Sequence, residues 1–80
     1  MTQEEKDLSA VKQNGYALRY VKNQTVEICL AAVKQNGLAL HYVKNQTLEI
    51  CLAAVKENKD AEKHIKDKNI FYKPLLNLGD

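Results

Sequence analysis

Four residues are the first in this chain to weigh for chemistry. Two are cysteines, Cys29 and Cys51, one repeat length of 22 residues apart. Paired cysteines suggest a disulfide or a metal. A disulfide needs Cα atoms within about 7 Å, and neighbouring helices pack at about 8–10 Å. Neither cysteine sits in a C-x-x-C pair, the spacing that holds zinc. Both are therefore read as small buried hydrophobes. Two are histidines. His41 occupies a slot that holds Arg19 and Lys63 in the neighbouring copies, so it is expected at an exposed polar position. His64 takes the slot of Tyr20 and Tyr42, which are expected to pack between copies with their hydroxyls at the edge. A general base needs a positioned nucleophile or carboxylate partner, and the sequence offers none beside either histidine.

"NQT" occurs at 23–25 and 45–47. It matches a glycosylation sequon, but each threonine is better explained as a helix cap. The lysines form two period-22 series: Lys12, Lys34, Lys56 and Lys22, Lys44, Lys66. Same-slot residues of stacked repeats form ladders, and such ladders can track the phosphates of a nucleic acid. Glu27 and Glu49 recur in the same way, the net charge is only +2, and the first series lies at helix C-termini, where the dipole already favours a base.

These residues sit on a repeat. "AVKQNGYALRYVKNQTVEICLA" (10–31) and "AVKQNGLALHYVKNQTLEICLA" (32–53) align without a gap. They differ at three positions: Tyr16/Leu38, Arg19/His41 and Val26/Leu48. On a constant scaffold, variable slots are candidate recognition positions, so Tyr16, Arg19, Leu38 and His41 are taken as a partner surface. A third copy of the motif, "AVKENK" at 54–59, replaces the glycine with Lys59.

Thr25 and Thr47 predict N-caps, because a hydroxyl can accept an orphan backbone N–H. Glu27 suits the first turn and Lys34 the last. Asn36-Gly37 is expected to stop the helix, with Gly in the left-handed conformation. Helices over 25–36 and 47–58 follow. Their apolar residues run almost all round, from Val26 to Val33, so they are expected to be covered on several sides. Leu38–Val43 predicts a second, short helix. The fold class is all-α: a short α-solenoid of about three helix-turn-helix hairpins. The helical repeat domain covers 1–68, with units of about 3–24, 25–46 and 47–68.

Residues 69–80 leave the pattern. Ile70, Phe71, Tyr72, Leu75, Leu76 and Leu78 are too apolar for a free tail. They are read as a cap on the last repeat or an anchor on another chain.

The signature "AVKQNG-x-AL-x-YV…T-x-E-[IL]-C-LAAV" resembles the tandem helical repeat catalogued as domain of unknown function 4116. The resemblance runs from about Gln3 to Ile65. It implies helical repeats, no established catalytic residues, and occurrence in giant viruses, protists and amoeba-associated bacteria. The acidic start "MTQEEKDLS" does not read as a signal peptide, and no apolar run approaches the roughly 18 residues of a membrane span. The expectation is an intracellular or cytoplasmic protein, or a component of a virus particle. It would be a non-enzymatic protein–protein interaction or structural module in a larger assembly, such as a giant-virus particle or protist complex, with no cofactor, metal or small-molecule substrate. The alternative is a nucleic-acid-associated protein using the lysine ladders.

Overall fold

The structure is a computed structural model and describes residues 2–67. Those residues are all-α, without strands, and hold six helical segments in three like pairs. Helix α1 (Gln3–Gln13) leads to a 3-10 helix, η1 (Gly15–Tyr20). Helix α2 (Val26–Gln35) leads to η2 (Gly37–Tyr42), and α3 (Leu48–Glu57) to η3 (Lys59–His64). Each α-helix packs on the next α-helix and each 3-10 helix on the next 3-10 helix.

The local signals act as expected at the N-termini. The Thr25 hydroxyl accepts from the Ile28 N–H at 3.1 Å, and the Thr47 hydroxyl from the Ile50 N–H at 3.3 Å. The sequence reading missed a third cap. Thr2 and Glu5 form a reciprocal capping box, and the Thr2 backbone and side-chain donors hold the Glu5 carboxyl below its usual range.

The C-terminal junction works differently from expectation. Asn14, Asn36 and Asn58 end the α-helices in extended backbone, with φ near −150°. Each side chain then accepts from the N–H two residues on, at Tyr16, Leu38 or Asp60, and so opens the 3-10 helix. No glycine among the described residues has positive φ. The third junction forms equally well around Lys59, so the asparagine makes the turn.

The glycine has another duty. A Cβ on Gly15 would lie 2.5 Å from the Ala32 carbonyl oxygen of α2, and one on Gly37 would meet the Ala54 carbonyl of α3. Glycine is present wherever a following α-helix crosses the junction. Lys59, after the last described α-helix, is exposed and meets no such helix.

The core runs along the stack as Val11, Leu18, Ile28, Val33, Leu40, Val43 and Ile50, with Ala32, Ala39, Ala54 and Ala61 where elements approach closely. The α-helices are not covered on all sides: Val26 and Leu52 are each about half exposed, at 51% and 50%. Cys29 and Cys51 are buried free thiols, as the sequence suggested. Burial pushes both thiols above their ordinary pKa.

Candidate functional site

The site is built by the 3-10 row. In a 3-10 helix residues i and i+3 eclipse one another. Tyr16 and Arg19 therefore share a face of η1, and Leu38 and His41 share the equivalent face of η2. Stacking sets the two pairs side by side. They line one shallow groove of about 300 Å³, completed by Tyr42 and His64. All four candidate partner residues read from the sequence thus come together. The third variable slot, Val26/Leu48, lies at the starts of α2 and α3, outside the groove.

Ring contacts order the groove. Tyr16 meets Tyr42 edge-on at 6.1 Å between centroids, and His41 meets Tyr42 edge-on at 5.0 Å. His41 and His64 lie 4.9 Å apart in a tilted arrangement. The Arg19 guanidinium sits over the Tyr20 ring, 4.7 Å from its centroid. Hydrogen bonding with Tyr20, and then Tyr42, raises the arginine pKa further. His41 is exposed and His64 half-buried, as expected. Tyr20 is not packed between copies as expected: it is 72% exposed, because among the described residues no 3-10 helix precedes η1 for it to lie against.

Two glutamines between the helices, Gln24 and Gln46, which the sequence analysis did not single out, hold this row in register. The Gln24 side-chain amide donates to the Tyr42 carbonyl at 2.9 Å, and its oxygen accepts from the Lys44 N–H at 3.0 Å. Gln46 does the same for His64 (3.0 Å) and Lys66 (2.9 Å). Each also donates to its own copy, to Leu18 and Leu40 respectively, and its oxygen lies within reach of the Cys29 or Cys51 thiol. Gln35 staples the other junction, accepting from the Gly15 N–H at 2.7 Å. The available signal was an identical glutamine at period 22 inside a segment with no helical pattern to maintain.

The lysines are placed as two exposed series. Lys12, Lys34 and Lys56 end the three α-helices, and Lys22, Lys44 and Lys66 follow the three 3-10 helices. Ile70, Phe71, Tyr72, Leu75, Leu76 and Leu78 lie outside the described residues. Among the described residues no cluster of three or more potential metal ligands occurs. No described helix is long and apolar enough to cross a membrane.

Comparison with known families decides the kinship. The model of a domain of unknown function, DUF4116, matches residues 8–48 and 25–68, two overlapping hits that together cover most of the chain. The chain belongs to this family. Each hit spans about two of this chain's 22-residue copies. No curated protein matches the chain, and no solved structure does.

Proposed function

We propose that this chain is a non-enzymatic interaction module, a small helical component of a larger assembly, and that it meets its partner through the 3-10 row. One observation carries the reading. Two of the three positions that differ between otherwise identical copies fall into the same groove. A scaffold held constant around a varied surface is the arrangement that recognition requires.

The test is affinity purification of the tagged full chain, followed by identification of proteins recovered in stoichiometric amount. The double variant Tyr16→Ala/Arg19→Ala should lose the partner, and Lys12→Ala, on an α-helix, should keep it. Equal recovery with both would remove the groove from the function. Truncation of residues 69–80 examines the anchor reading of the tail in the same assay: unchanged recovery with an intact fold would refute it.

A second reading, binding of nucleic acid along the lysines, is supported by the exposure of all six side chains and by the glutamine staples that set Lys44 and Lys66 in register. It requires affinity that falls steeply with salt. A flat gel-shift titration at low salt would exclude it.

A further inference from the structure

We infer that the groove between η1 and η2 receives a short extended peptide that places a carboxylate against Arg19 and an apolar side chain about three residues further on, against Leu38 and His41. This deepens the interaction-module reading and rests on it.

The charge in the groove points to the partner. Arg19 is exposed, and the side chains that act on its guanidinium are those of Tyr20 and Tyr42, neither of them a carboxylate. Its guanidinium is nonetheless held in place over Tyr20. The six lining residues, Tyr16, Arg19, Leu38, His41, Tyr42 and His64, include no acid. An oriented, uncompensated guanidinium is suited to a carboxylate, which it can grip with two parallel hydrogen bonds. One repeat further along, the same face offers Leu38, half-buried, and the His41 ring, which suit an apolar group.

The spacing follows from the stack. Neighbouring helices lie about 8–10 Å apart, and an extended chain advances about 3.3 Å per residue. A strand crossing from the first rung to the second therefore covers roughly three residues. The next rung sets Asp60 and Lys63 three residues apart on one face of η3, so it carries both signs and adds little net attraction. Nucleic acid fits less well. The rings are turned edge-on to each other, which uses faces that bases would need for stacking, and only one of the six lining residues is a permanent cation.

The experiment is fluorescence anisotropy of the full chain with labelled Gly/Ser peptides. Each carries one Glu and one Leu, with their separation varied across a series, and a labelled oligouridylate is the comparison. Affinity should peak when the leucine follows the glutamate by about three residues. Arg19→Gln should weaken that peptide about tenfold, and Leu38→Ala should flatten the dependence on leucine. Arg19→Glu should transfer the preference to the peptide in which Lys replaces Glu. Lys12→Gln should change nothing. Both groove positions are accessible, and circular dichroism confirms that the variants fold. Spacing-independent binding that Lys12→Gln weakens equally would overturn the proposal, as would oligouridylate binding tighter with the same Arg19 dependence. If no peptide binds while the Tyr16→Ala/Arg19→Ala variant still loses its partner in the purification, the acidic-peptide inference is wrong and the interaction module stands.

Discussion

Replacing Gly15 by Ala separates two explanations of the repeated Asn-Gly. In a turn with ordinary negative φ, Gly→Ala normally stabilises by about 0.4–1 kcal/mol, because the unfolded chain loses freedom. Here the added Cβ lands 2.5 Å from the Ala32 carbonyl oxygen, and such contacts are essentially never closer than 3.0 Å. The obstacle is helical backbone, so α2 must retreat by at least half an ångström. The same Cβ would also press on Asn36 and Gln35, at 3.0 and 3.1 Å, and the Gly15–Gln35 hydrogen bond would open. Overpacking costs about 1–3 kcal/mol, and a lost hydrogen bond about 1 kcal/mol. After the entropic gain, the net is a destabilisation of about 1–3.5 kcal/mol, centred near 2. For a domain of this size that lowers Tm by roughly 10–20 °C. Thermal unfolding followed by circular dichroism reads it directly. Lys59→Gly is the counterpart. No described helix crosses that junction, so it should gain nothing and lose about 0.5–1 kcal/mol in a helical position. A rise in Tm for Gly15→Ala, or a gain from Lys59→Gly, would refute the close-approach argument.

Gln46→Leu should cost about 1–3 kcal/mol in urea unfolding, because the Lys66 N–H and the His64 and Leu40 carbonyls lose their partner. Gln46→Glu should recover part of that loss at acid pH, where a protonated carboxyl again donates to a carbonyl. Thr25→Ala and Thr47→Ala should each lower stability by about 1 kcal/mol, measured the same way. Cys29 and Cys51 should resist alkylation in the folded chain and react once it unfolds. Their raised pKa also sets a sign: unfolded thiols ionise first, so this contribution to stability is complete below the ordinary thiol range and is lost as pH rises through the folded values. A Tm independent of pH across that window would count against it.

Local physics made much of this protein legible from its sequence. A threonine hydroxyl, an acid in the first turn and an apolar periodicity all act within a few residues, so the α-helices, their caps and the all-α class could be read directly. The groove residues were legible for a related reason: the two copies supply an internal comparison, and only the positions that differ stand out from it. What could not be read depends on groups about 20 residues apart in the chain. Asn-Gly suggests a left-handed cap on local grounds, but here glycine is set by a carbonyl of the next copy, and the asparagine alone turns the chain. Gln24 and Gln46 lie in a segment without periodicity, and their hydrogen bonds to the following copy exist only after stacking. Tyr20 and Tyr42 occupy one slot in the repeat, yet one is exposed and the other half-buried, because burial depends on whether a neighbour lies on that side. The sequence determined the repeating unit and its varied face. Tertiary structure decided which side chains join one copy to the next, because those contacts form between backbones that no local pattern brings together.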